Sequence, residues 1–196
     1  LAAALDEQQA IGRSAFGAIG GTALIDARVI QLGIPRSVWQ NAQIVAADDG
    51  FLSGSAVGFE RRAAGYGSDA AIWQALREEP GLAVITGSTA SSFLTLPDGD
   101  GAFAPFTVWA RPAADGTPLK LTVIGIVDPR SEIDAGLWTS RATAEGLGVE
   151  LGPPTSYFLA LAPGTVAKDA VEGLRVAFAD RSLAVNDLSS TIRIGT

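Results

Sequence analysis

The chain has 196 residues and contains no His, Cys or Met; 47% of residues are apolar and 18% charged, with 14 basic against 21 acidic side chains and a formal net charge of -7. No Cys means no disulfide, no thiolate nucleophile and no Cys-ligated zinc, and no His removes the commonest general base and metal ligand. The length suits one domain, or one domain of two lobes, and the basic residues form no stripe in the sequence, the densest cluster being Arg61-Arg62; nucleic acid, which needs clustered positive charge, is excluded as a partner, and anionic lipid is disfavoured on the same ground.

Leu1 to Ile11 is compatible with a helix that Gly12 would end. Thr22 to Leu32 alternates Ala23, Ile25, Ala27 and Val29 with Leu24, Asp26 and Arg28, the period of a half-buried strand. Pro35-Arg36-Ser37 opens a turn or short helix, and Ile44-Val45-Ala46 is a short strand closed by Asp48-Asp49-Gly50. Phe51 to Gly67 is rich in Gly, Ser and Arg and weakly patterned, and is expected to be a long loop or irregular, mobile lobe facing a partner.

Ser68-Asp69 is an N-cap pair, with Ile72, Ala75 and Leu76 following at helical spacing and Pro80-Gly81 stopping the helix. Leu82 to Ile85 is a buried strand. Phe106 to Arg111 and Leu119 to Val127 form a hairpin around an Asp115-Gly116 turn, and the apolar run of the second strand predicts that both its faces are covered. Leu137 to Ser140 leads into a short helix ending at Gly146 or Gly148. Thr155 to Leu161, a helix bearing Val166, Ala170, Leu174, Ala177 and Phe178 on one face, and Leu183 to Val185 make the clearest strand–helix–strand unit. Val123, Ile124, Ile126, Leu174 and Phe178 are the predicted core, and Leu188 to Thr196 reads as a lead-out. No run of about 18 apolar residues is present to form a membrane-spanning helix.

Few residues offer chemistry. Asp98-Gly-Asp-Gly101 lacks the downstream Glu of a calcium loop and reads as a turn. Asp48-Asp49 and Glu78-Glu79 are neighbours whose side chains diverge on either a strand or a helix, so neither pair makes an acid/base dyad. Ser88, Thr89, Ser91 and Ser92 lack both a Ser-x-x-Lys and a Gly-x-Ser-x-Gly setting. No catalytic residue, cofactor or metal site is expected. Trp73 is a core residue, Trp109 faces away from Val108, and Trp39 and Trp138, near turns, are either core or half-buried packing or partner contacts. The candidates for partner binding are Arg61, Arg62 and Trp138.

The run Asp69-Ala-Ala-Ile-Trp-Gln-Ala-Leu-Arg-Glu-Glu-Pro-Gly-Leu-Ala-Val-Ile85 resembles the extracytoplasmic domains of FtsX-like ABC transporter permeases, including the MacB-like periplasmic core domain. Leu121 to Val127, Gly136 to Ser140, and Thr155 to Leu161 with its following helix fit the same pattern in order, so the resemblance covers about Asp69 to Val185; the N-terminal third matches loosely. The resemblance implies an α+β fold, a mixed β-sheet with helices packed on one side and a smaller irregular lobe. It places that lobe at about 22–67, the core lobe at 68–187, and a lead-out toward a transmembrane helix at 188–196. It implies no catalytic residues. The implied setting is the outer side of a cell membrane, with a cytoplasmic ATPase subunit reached through transmembrane parts, a second permease subunit, and an external protein or lipid as partners. A domain between transmembrane helices would also account for the missing initiator Met, and Leu1 and Thr196 would then lie on one side of it. The alternative is a stand-alone secreted or periplasmic binding module; a hydrolase using Ser and carboxylates comes last.

Overall fold

The computed structural model describes residues 11–34, 37–87, 89, 94–99, 101–113, 116–131, 133–179, 184–187 and 191–195. Its spine is β1 (Phe16–Ile30). Over its second half Ala23, Ile25, Ala27 and Val29 turn inward and are buried, while Leu24, Asp26 and Arg28 turn outward. One edge of β1 pairs antiparallel with β2 (Gln40–Ala47), in register from Thr22↔Ala47 to Val29↔Gln40.

The remaining strands bring the sheet back to its start. β2 pairs parallel with β7 (Leu137–Ser140), β7 antiparallel with β4 (Leu82–Thr86), and β4 parallel with β6 (Leu119–Val127). β6 pairs antiparallel with β5 (Phe106–Pro112), and β5 returns to the other edge of β1 through Ala27↔Pro112 to Ile30↔Trp109. The hydrogen-bonded path β1–β2–β7–β4–β6–β5–β1 is therefore a closed ring, which leaves these strands without open edges. Val123, Ile124 and Ile126 are buried, as predicted, because one face of β6 lines the ring and the other is covered.

The cover comes from α1 (Asp49–Gly54) and α2 (Asp69–Glu78). Ser68 caps α2 by accepting a hydrogen bond from the Ala71 amide, and Ile72, Trp73, Ala75 and Leu76 face the sheet. Gly81, at φ 82°, turns the chain directly into β4, a conformation that glycine adopts without strain. A short helix, α3 (Arg141–Glu145), follows β7 and is capped by Ser140.

Phe51 to Gly67 departs from expectation. Asp48 caps α1 through the Phe51 amide, and β3 (Phe59–Arg62) pairs with the far end of β6. Phe51, Leu52, Phe59 and Ala63 are buried in the main core. That core also draws on both segments the sequence reading divides at residue 67, from Ala23 to Phe158.

A second core lies beyond the ring. Ile11, Phe16, Leu159, Ala170, Val171, Leu174, Phe178 and Val185 pack together beneath α4 (Ala167–Ala177), which follows β8 (Ser156–Leu161). Leu174 and Phe178 are buried as predicted, in this second cluster, beside the part of the same sheet that β8 begins. After α4 the chain forms β9 (Ala184–Asp187) and then β10 (Thr191–Gly195), which inserts between β9 and β8, a split β-α-β arrangement. The tail expected to lead out of the domain thus carries a paired strand. The expectations for a helix at 1–11 and for Leu1 and Thr196 sharing a side fall almost wholly outside the described residues.

Candidate functional site

The most elaborately built place is the junction between the two cores. β1 belongs to both: Phe16 to Thr22 pairs with β8, and Thr22 to Val29 with β2. At the hand-over the Asp48 amide donates to the Gly21 carbonyl at 3.0 Å, and the Thr155 amide donates to the Thr22 carbonyl at 2.8 Å.

Glycines let backbones meet here. A Cβ on Gly20 would lie 1.9 Å from the Phe51 nitrogen, one on Gly50 2.1 Å from the Ile19 carbonyl oxygen, and one on Gly54 2.4 Å from the Ala18 Cβ. Helix α1 therefore rests directly on β1 where its pairing passes from β8 to β2. Close approach of this kind requires glycine.

Phe51, projecting from α1, is the hub of an aromatic cluster. It meets Trp73 of α2 edge-on at 5.5 Å, Trp138 of β7 at 5.1 Å, and Phe158 of β8 edge-on at 4.9 Å between ring centroids. Arg193 of β10 closes the junction. It donates to both carboxylate oxygens of Asp134, at 2.6 and 2.8 Å, and to the Ser156 hydroxyl at 3.1 Å, with its guanidinium over the Phe158 ring. The Trp138 indole N–H donates to the Asp134 carbonyl at 2.9 Å. Ion pair, aromatic hub and shared strand bind the two cores into one body through packing and hydrogen bonding.

Trp138 is fully buried at the centre of this cluster, so the structure corrects its candidacy as a surface contact: it is a packing residue. Arg61 and Arg62 do not converge with it. Arg61 donates to the carbonyls of Pro97, Gly101 and Asp98 and lies over Phe103, clamping that loop to β3. Arg62 pairs with Asp69 at 2.6 Å, fixing the start of α2. The carbonyls that a cation would need near Asp98 are thus occupied by a guanidinium, while Asp100 lies outside the described residues.

The other candidates resolve as local structure. Asp48 caps α1 while Asp49 reaches Arg77 at 3.5 Å. Glu78 accepts from Gln74, and burial together with the nearby Glu79 pushes the Tyr66 phenol upward. The Thr89 and Thr86 hydroxyls bond each other at 3.0 Å; Ser88, Ser91 and Ser92 lie outside the described residues. Among the described residues no group of three or more acidic side chains is placed to hold a metal, and no helix is long and apolar enough to cross a membrane. One carboxylate is strongly perturbed: side-chain and backbone hydrogen bonds from Arg130 hold Asp128 down at about 2.

The sequence reading misses the junction because its signals are indirect. Gly17, Gly20 and Gly21 interrupt the apolar pattern ahead of Thr22 without marking a contact, and Arg193 falls in the segment read as a lead-out. The alternation Thr191-Ile-Arg-Ile-Gly195 was the available strand signal.

No protein-family model matches the chain, and no curated protein matches it in sequence. Solved structures do. The extracellular domain of the noncanonic ABC-type transporter YknZ from Gram-positive bacteria is similar with a TM-score of 0.49 at 9% identity, over 99% of this chain and 86% of that one. A domain of a permease protein from Porphyromonas gingivalis is similar with a TM-score of 0.46 at 16% identity, over 100% and 77%. The periplasmic region of MacB from Actinobacillus actinomycetemcomitans is similar with a TM-score of 0.50 at 11% identity, over 99% and 76%. The mixed α+β fold of this chain is similar to that of the periplasmic region of MacB, as the resemblance in the sequence implied.

Proposed function

We propose that this chain is the extracytoplasmic domain of an ABC-type permease and that it couples movement of transmembrane helices to a substrate or partner outside the membrane, without catalysis of its own. The observation that carries the reading is the agreement of almost the whole chain in fold with the periplasmic region of MacB. The junction supports it. A domain that relays motion needs two parts joined stiffly, and β1, the Phe51 hub and the Arg193–Asp134 pair supply the joint. ATP hydrolysis would belong to a cytoplasmic subunit, and a second permease subunit would complete the transporter.

Fractionation of cells producing the full-length gene product tests this. Retention in the membrane after carbonate washing, together with cleavage of the domain by protease added outside the cytoplasmic membrane, is the expected result. Release as a soluble protein after removal of a leader would instead support the stand-alone binding module.

A further inference from the structure

One end of the ring is crossed by a strap. β1 finishes at that end with Ile30, β4 with Thr86 and β6 with Val127, while β2 and β5 begin there. The chain leaves β4 at Thr86 and starts β5 at Phe106. On the way it meets the end of β1, which stands opposite β4 in the ring, the third strand along in either direction. Gln31 makes the contact, in phase with the inward-facing Ala27 and Val29. Its side-chain amide donates to the Thr95 carbonyl at 3.1 Å and accepts from the Thr95 amide at 2.8 Å.

The ends of the strap are rooted in the body, and its middle is held by side chains. At its start the Thr86 and Thr89 hydroxyls bond each other, and Thr86 accepts from the Gly136 amide at 3.1 Å, both contacts being buried. At its finish Phe103 is buried, its amide donates to the Arg62 carbonyl at 3.2 Å and its carbonyl accepts from the Ala64 amide at 2.7 Å. Between these roots Thr95, Asp98 and Gly101 are exposed, and Leu94 and Leu96 are only half-buried against the main core. Gln31 and Arg61 clasp this stretch through hydrogen bonds that mostly lie open to water. Water can replace such bonds, so each contributes little net. A segment held in this way opens at a lower free energy than the paired strands beneath it.

We propose that the strap, residues 94–99 with Gly101, is a lid that swings off the ring between its roots at Thr89 and Phe103 while the strands stay paired. Closed, Leu94 and Leu96 add to the core; open, the inward side chains at this mouth, Val29 among them, reach water. The clasps suit release in single steps. Gln31 grips both polar groups of one residue, and Arg61 gathers the Pro97, Gly101 and Asp98 carbonyls on one guanidinium, at 2.7, 3.2 and 3.3 Å. Letting go of one side chain therefore frees a whole stretch of strap. The lid gives the domain two states, a sealed ring and a ring with an apolar mouth, and it does not depend on the permease reading.

Thiol labelling with iodoacetamide tests it. The chain has no cysteine, so Val29→Cys, fully buried at the mouth, and Leu121→Cys, fully buried on β6 toward the other end of the ring, each carry one thiol. In low urea Val29→Cys should react about tenfold faster than Leu121→Cys or more, at a rate almost independent of urea, because lid opening exposes little surface. Leu121→Cys should wait for global unfolding and follow its full urea dependence. Adding Gln31→Ala or Arg61→Gln should speed Val29→Cys by about tenfold. In the unsubstituted chain the Thr95 amide should exchange its hydrogen far sooner than the amides of β6. Equal rates with equal urea dependence at the two thiols, indifference of Val29→Cys to both clasp substitutions, or Thr95 protection matching that of β6 would each overturn the proposal.

Discussion

Arg193 on β10 reaches Asp134, in the loop before β7, with its Nη2 2.6 and 2.8 Å from the two carboxylate oxygens. The two residues are 59 positions apart, and they join β10, on one side of the junction, to the loop that enters β7, on the other. Both side chains are largely shielded, at 25% and 19% exposure, so water screens this pair less than it does an ordinary surface pair. Changing either to Ala should cost about 1–3 kcal/mol, and the double change should cost less than the sum by about 1 kcal/mol. Denaturant unfolding of the four proteins in the cycle gives the coupling; strict additivity would mean that the contact contributes nothing to joining the cores.

The approach of α1 to β1 should be intolerant of a single methyl group. Gly20→Ala would put a carbon 1.9 Å from the Phe51 nitrogen, a backbone atom that cannot step aside alone, and should cost about 1–3 kcal/mol or more. Gly17→Ala, on the same strand with its nearest neighbour at 3.9 Å, should stay within about 0.5 kcal/mol. Equal midpoints for the two variants would show that α1 does not rest on β1 in this way.

In the second core, Phe178→Ala should cost about 3–5 kcal/mol, because the ring is buried among Leu159, Leu174 and Val185. Val176→Ala, on the exposed side of α4, should change stability by less than about 0.5 kcal/mol. A small effect at Phe178 would mean that α4 packs with a different face.

Asp128 should titrate at about 2 instead of the ordinary 3.8, because Arg130 donates to it from both its side chain and its backbone amide. A lowered folded-state value means that the contribution to stability is complete above 3.8 and is lost as pH falls from there through about 2. Carboxyl NMR titration should show the low midpoint, and Arg130→Gln should raise it toward the ordinary value. A parent midpoint near 3.8 would show that the pair does not form in solution.

Strands with a strong period were legible in the sequence. β6 was read as Leu119 to Val127 and occupies those residues, because a nearly continuous apolar run suits a strand that is covered on both faces over most of its length. The capped helix α2 was equally plain. What failed were elements whose order comes from tertiary contact. Helix α1 is six residues long and β3 four, too short for any period to declare itself, and both are held by burial of Phe51, Leu52 and Phe59. Trp138 sits beside Thr139 and Ser140, so no apolar run marks it as core. All of β7 is buried because it lies between β2 and β4, a placement no local pattern encodes.

The central claim, that this domain stands outside the membrane as part of a permease, is tested most directly by labelling a single cysteine. The chain has no cysteine of its own, so Val176→Cys, at a site 70% exposed on α4, adds the one thiol of this region. A membrane-impermeant maleimide should label that cysteine in the full-length protein without prior disruption of the cytoplasmic membrane, and the labelled protein should remain with the membrane fraction. Labelling only after the cytoplasmic membrane is broken, or labelled protein free in the soluble fraction, would contradict the claim.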